Sequence, residues 1–243
     1  AADGSSYVVN DLKTVSEDDR GQTVNITKDS KIVVRYTAKL NESAVIGSTG
    51  NSNTASLTYS NNPNSTGGGS KGVTPKDKVV VFTYQVIVNK VDQDSRTPLK
   101  GAGFTLYKKD STGVYNKVED ITAGETTTFT FKGLNVGDYK LSETVTPAGY
   151  NTIADVEFTI SADVDKASDN PILNTLEATS TSTNKLVFTS NIADGSLTTT
   201  VVNKKGSILP STGSVGTTML YVMGSLLVIG AGILLAVRKK TNN

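Results

Sequence analysis

The sequence predicts an all-β protein: a complete β-sandwich, preceded by the end of another β-sandwich domain and followed by one C-terminal transmembrane helix. Three observations carry this. The chain is rich in Thr, Ser, Asn, Val and Gly, has no Trp and is only 6% aromatic, which favours short strands over helices. Turn residues recur at short intervals between runs of alternating apolar and polar residues, as in a sandwich. Met219 to Val237 is an apolar run without charge or proline. As a helix it would span about 28 Å at ~1.5 Å per residue, close to the ~30 Å hydrocarbon core of a bilayer.

Taken in order, residues 1–62 read as the C-terminal part of a β-domain. Lys31–Leu40 is expected as a strand, and Ala55–Asn61 as another with Ala55, Leu57, Tyr59 and Asn61 on one face. Residues 63–77 have the Gly/Ser/Pro composition of a linker. Their Gly67–Gly72 stretch lacks the spacing of a phosphate-binding loop. Residues 78–206 form the complete sandwich. Its expected strands are Val79–Asp92, Gly103–Lys108, Thr127–Phe131, Tyr139–Thr144, Val156–Ile160, Lys185–Thr189 and Leu197–Asn203. Ser161–Asn184 is polar and is expected to be irregular. Residues 207–218 are a spacer, 219–237 the membrane helix, and 238–243 a basic tail led by Arg238-Lys239-Lys240. That cluster would hold the C-terminus on the cytoplasmic side and leave the rest outside the membrane.

Composition excludes several functions. The net charge is +1, so no nucleic-acid partner is expected. Cysteine and histidine are both absent, which removes thiol nucleophiles, Ser-His triads, Cys/His zinc sites and disulfides. No cofactor or metal is expected. Asp92-x-Asp94 does not fit a helical calcium loop, because Arg96 stands at a ligand position and Thr97 at the turn glycine. Ala1-Ala2-Asp3 does not begin a signal peptide. A chain anchored from outside must be exported, so a longer precursor is expected.

One constellation stands out. Lys90 shares the register of Val86 and Val88; Glu143 shares that of Tyr139 and Leu141; Asn203 shares that of Val201. Three polar residues on core-facing registers are costly unless they meet one another. The alternative is that each marks a strand end where the core opens to water. Alternation alone leaves both open.

Two stretches resemble known families. Leu209-Pro210-Ser211-Thr212-Gly213, followed by the apolar run and basic tail, resembles the Leu-Pro-x-Thr-Gly sorting signal of Gram-positive surface proteins. The resemblance implies that a sortase cysteine attacks the carbonyl of Thr212, with Leu209 and Pro210 as recognition residues and Gly213 leaving with the anchor. An amine, from the peptidoglycan cross-bridge or from a lysine of a neighbouring subunit, would take the acyl group. Before sorting, the C-terminal helix would hold the protein in the membrane.

Tyr139-Lys140-Leu141-Ser142-Glu143-Thr144 through Pro147-Ala148-Gly149-Tyr150 resembles the E-box of Gram-positive pilins. With Phe129-x-Phe131-x-Gly133-Leu134, Gly137-x-Tyr139 and the openings Val88–Asp92 and Gly101–Tyr107, it is similar to the Cna B-type domain of pilins and adhesins. The resemblance covers about residues 80 to 205 and implies an immunoglobulin-like β-sandwich. It also implies a self-formed isopeptide bond in which Lys90 attacks the side-chain amide of Asn203 while Glu143 acts as the acid. Burial would favour the neutral, nucleophilic amine. A protonated Glu143 could polarise the amide carbonyl and shuttle protons. The event happens once per molecule, so it is maturation and not turnover, and the protein is not expected to be an enzyme.

Tyr59-Ser60-Asn61-Asn62-Pro63 resembles the closing strand of the preceding isopeptide domain, which makes Asn61 a candidate second acyl partner. No Tyr-Pro-Lys pilin motif is present. The expected function is a structural subunit, the backbone pilin, of a sortase-polymerised pilus anchored in the cell wall. The alternative is a monomeric wall-anchored adhesin with a Cna B-type stalk and a head for a host surface ligand outside this sequence. A wall-anchored enzyme with a further catalytic domain is a third.

Overall fold

The computed structural model describes residues 6–206, apart from residues 19, 28, 63, 65–68, 168 and 184. The sorting pentapeptide, apolar span and basic tail expected at 207–243 lie outside the described residues. Among the described residues, no helix is long and apolar enough to cross a membrane.

The chain divides into two compact units, 1–41 and 42–243. In the first, a 3-10 turn at Leu12–Thr14 precedes an isolated bridge between Glu17 and Thr23. The strand expected over Lys31–Leu40 does not form. A β-prone segment becomes a strand only where a neighbour takes up its backbone hydrogen bonds. This segment joins no sheet, and Ile32, Val33 and Val34 are all exposed instead of alternating.

The second unit holds thirteen strands among its described residues. Four of them form two small antiparallel pairs. β1 (Asn51–Ala55) pairs with β4 (Asp77–Val81), and β2 (Thr58–Ser60) with β3 (Lys71–Val73). The strand expected over Ala55–Asn61 is therefore interrupted at Ser56–Leu57, and β3 lies inside the stretch expected as linker. The long strand expected from Val79 breaks at Phe82–Thr83. β4 leaves to pair with β1, while β5 (Tyr84–Asp92) enters the sandwich.

Two sheets make the sandwich. The first orders β12 (Phe188–Asn191), β13 (Ser196–Asn203), β5 and β8 (Thr128–Leu134). The second orders β11 (Ile172–Ser180), β10 (Val156–Asp165), β9 (Gly137–Val145), β6 (Gly103–Lys109) and β7 (Tyr115–Ile121). Their inner faces share one core that includes Val86, Val88, Phe104, Leu106, Phe129, Phe131, Leu141 and Phe158. Phe104 and Phe129 meet edge to face, with ring centroids 4.8 Å apart. Alternation on the central strands delivers this core, since every second residue of β5 is buried.

Two strands of the sandwich escaped the sequence reading for one reason. β7 and β11 are edge strands. β7 buries no residue fully, and β11 buries only Leu173 and Leu176. Ser161–Asn184, expected to be irregular, in fact carries the end of β10 and all of β11. An edge strand with one thin apolar contact leaves little period-2 signal.

The turn between β12 and β13 carries one close approach. Gly195 has a φ of 60°, and a Cβ there would lie 2.6 Å from the backbone of Gly47. Glycine is required on both counts.

A buried lysine, acid and asparagine form the candidate functional site

β5 alternates buried and partly buried residues along its whole length, which sends Tyr84, Val86, Val88, Lys90 and Asp92 into the core. β13 runs beside it in parallel, with Val201 opposite Lys90 and Asn203 opposite Asp92. Asn203 is therefore one diagonal step from Lys90 on the same face, within reach of a long side chain. β9 belongs to the other sheet and turns Tyr139, Leu141 and Glu143 inward. Three strands from two sheets thus bring Lys90, Glu143 and Asn203 together, and the reading in which each marks an open strand end fails.

The geometry is tight and dry. Lys90 Nζ lies 3.8 Å from Glu143 Oε1, with both side chains fully buried. Asn203 Nδ2 donates to both carboxylate oxygens of Glu143, at 2.8 and 3.0 Å. Lys90 Nζ also donates to the Val201 carbonyl at 3.4 Å. The Ile153 backbone N–H donates to Glu143 Oε2 at 3.0 Å and fixes the carboxylate from behind. Asn203 Oδ1 is buried and has no hydrogen-bond partner among the described residues. A buried acceptor left in this state costs about 1–3 kcal/mol.

Burial also sets the amine's chemistry. Desolvation pushes the Lys90 ammonium down to about 8, against the opposing pull of the Glu143 and Asp92 charges. Burial therefore raises the share of neutral amine well above that of an exposed lysine. The sign of the resulting stability effect follows. Between about 8 and the ordinary value of 10.5, the unfolded chain holds a proton on Lys90 that the folded chain has released. Stability from this group therefore rises with pH across that window and carries its full cost below it. In an unlinked Asn203→Ala chain, denaturation between pH 7 and 10 should show a gain on the order of 2–3 kcal/mol. The same measurement on Lys90→Met/Asn203→Ala should lack that gain.

The sequence favours turn residues over a calcium loop at Asp92-x-Asp94, and Asp92, the last residue of β5, holds the turn that follows it. Its Oδ1 accepts from the N–H of Asp94, from the N–H of Ser95 and from Ser95 Oγ, at 2.9, 2.7 and 3.0 Å. Its Oδ2 accepts from the Tyr150 hydroxyl at 2.7 Å. The Ser95 N–H first, then the Tyr150 hydroxyl, hold this carboxyl well below the usual carboxylate range. Sequence reasoning missed its contact with Tyr150, although Asp92 shares the inward register of Lys90. Asn61 is exposed at the bend after β2, where its N–H donates to the Ser70 carbonyl. It lacks the dry surroundings of the central site. Leu209, Pro210, Thr212 and Gly213 lie outside the described residues.

Comparison with known proteins agrees with this architecture. Residues 84–171 match the SpaA prealbumin-like fold domain. Residues 201–243 match the LPXTG cell wall anchor motif. The chain is 31% identical to the trypsin-resistant surface T6 protein of Streptococcus pyogenes serotype M6. The match covers 85% of this chain and 48% of that protein, so the chain spans about half the length of this curated relative. Similar solved structures include the T6 backbone pilin of serotype M6 Streptococcus pyogenes, at 24% identity and a TM-score of 0.47. That match covers 69% of this chain and 46% of the other. The group B streptococcus pilus 2b backbone protein is also 24% identical, with a TM-score of 0.36, covering 62% and 49%. With a SpaA-type sandwich leading into an LPXTG anchor, the chain belongs with the Gram-positive sortase-assembled pilins and is a cell-wall-anchored surface protein.

Proposed function

We propose that this protein is a structural subunit, the backbone pilin, of a covalently polymerised pilus, and that its sandwich is closed by a Lys90–Asn203 isopeptide bond. The observation that supports it best is the fully buried Lys90–Glu143 pair with Asn203 hydrogen-bonded to the same carboxylate. The domain division read from sequence belongs to the same proposal: a pilin β-domain ending near residue 62, a linker to 77 and a Cna B-type sandwich over 78–206.

The step is an aminolysis. The neutral Lys90 amine attacks Cγ of Asn203 and the new N–C bond forms. The old Cγ–Nδ2 bond breaks and Nδ2 leaves as ammonia. One proton must leave the lysine nitrogen and one must reach Nδ2. Glu143 faces both nitrogens, so it can accept the first and deliver the second. In this arrangement it meets the amide through the leaving nitrogen, so proton relay suits it better than the carbonyl polarisation expected from the resemblance. Packing supplies orientation, which for well-aligned groups is worth several kcal/mol of barrier, on the order of 7–11 at best.

Polymerisation would run through the tail. A sortase cysteine would attack the Thr212 carbonyl, the Thr212–Gly213 bond would break, and the acyl group would pass from the enzyme to a lysine of the next subunit, or to the peptidoglycan cross-bridge at the base. The relative named as trypsin-resistant fits a chain with this kind of internal link. The test is a denaturing gel of wall extracts blotted for this protein. A pilus subunit gives a ladder of SDS-resistant species, and Thr212→Ala should collapse that ladder to monomer. A single wall-bound band from the wild type would overturn the polymer in favour of the monomeric adhesin.

A further inference from the structure

We propose that Asp92 and Tyr150 are positioning residues for the bond-forming step, a role that rests on the isopeptide reading above. A second buried carboxylate stands beside the reacting pair and takes no part in the proton transfers. Asp92 is 3% exposed and lies two residues beyond Lys90 on the same face of β5. It sits directly opposite Asn203, whose carbonyl accepts from the Gln93 N–H at 3.0 Å. The β5 end that presents the amine and the β13 end that presents the amide are thus tied at this point.

Tyr150 joins the acid to the same knot. β9 carries Glu143 and ends at Val145, and the chain then runs through a buried Pro147 to Tyr150. There it bridges to Lys205 just past β13, while the Asn151 N–H donates to the Lys204 carbonyl at 2.9 Å. The Gly206 N–H returns to the Gly149 carbonyl at 2.9 Å. Two residues after Asn151, the Ile153 N–H binds Glu143 itself. The segment 146–153 is therefore pinned at one end to Asp92 through the Tyr150 hydroxyl and at the other to the catalytic acid. It covers the end of the core where Lys90 and Asn203 meet. The charged and titratable groups around the amine are Glu143 from β9, Asp92 from its own strand, and Tyr150 reaching in from this segment.

Two effects should separate. The Tyr150 hydroxyl fixes geometry, so Tyr150→Phe slows bond formation. The Asp92 charge holds a proton on Lys90, so Asp92→Asn, which keeps an acceptor for the turn, moves the rate profile to lower pH. The experiment is timed cell-free synthesis of the full chain at several pH values, quenched in denaturant and read by intact mass for loss of ammonia. Folding is followed in parallel by near-UV circular dichroism. Tyr150→Phe is expected to slow the reaction on the order of tenfold to a hundredfold. Ser95→Ala, which removes a turn donor from the same carboxylate without touching 146–153, should stay near the wild-type rate. A folded Tyr150→Phe reacting as fast as wild type overturns the proposal. So does an Asp92→Asn profile that does not move, and this second arm decides the case if Tyr150→Phe fails to fold. A wild-type chain that never loses ammonia overturns the isopeptide reading itself.

Discussion

The purified chain is expected to weigh about 17 Da less than its sequence, the mass of one ammonia lost as Lys90 is acylated by Asn203. Lys90→Ala and Asn203→Ala should each return the mass to the sequence value, since each removes a reacting group. The more informative variant is Glu143→Ala. It leaves amine and amide in place, yet removes the carboxylate that faces both nitrogens. Without it, no described carboxylate faces both Nζ and Nδ2, so the mass should again be unshifted. Tandem mass spectrometry of a digest should find the strands around Lys90 and Asn203 as one branched peptide. A wild-type mass equal to the sequence mass would sink the proposed bond, whatever the quality of the fold.

The second large effect is on stability. A bond from Lys90 to Asn203 closes a loop of about 110 residues, which by the loop-entropy relation for cross-links is worth about 4–5 kcal/mol. Removing Glu143 adds another penalty, because a fully buried ammonium loses its compensating charge. Breaking such a pair costs on the order of 3–5 kcal/mol, unless the lysine escapes part of it by deprotonating. Glu143→Ala is therefore expected to melt lower than Lys90→Ala, and both far below wild type, by roughly 15–25 °C for Lys90→Ala. Trypsin gives an independent reading. The chain offers 24 Lys and Arg, so resistance depends on how rarely the strands open. Both variants should be cut at temperatures where the wild type survives. Equal melting of Lys90→Ala and wild type would mean that the link contributes nothing in the folded domain.

The part of the molecule legible in the sequence is the part where alternation is strong. β5, β9 and β13 are central strands buried on one face, so their inward registers could be counted from the residues. Lys90, Glu143 and Asn203 fell on those registers, which is why the site was visible before any coordinates. What alternation could not show is that the three strands converge. That depends on β13 lying parallel to β5 and on β9 facing them from the other sheet. The resemblance to pilin domains carried that step. β7 and β11 were missed because edge strands bury too little to leave a pattern. Lys31–Leu40 failed in the opposite way, with strong β-propensity but no sheet to join. Tyr150 was quoted within a motif, but its hydroxyl's partner lies 58 residues earlier in the chain, at Asp92. No local rule points across such a distance.

The parallel register of β5 and β13 has a mechanical consequence. The sandwich is entered at Tyr84 and left at Asn203, and these sit at opposite ends of two strands that run side by side. Tension applied through the chain therefore slides one strand along the other and strains all their hydrogen bonds together, instead of peeling them one at a time. With Lys90 joined to Asn203, tension would pass along β5 from Tyr84 to Lys90, cross the covalent bridge and exit. The stretch from Val91 to Val202 would hang outside that route, unstretched however hard the filament is drawn.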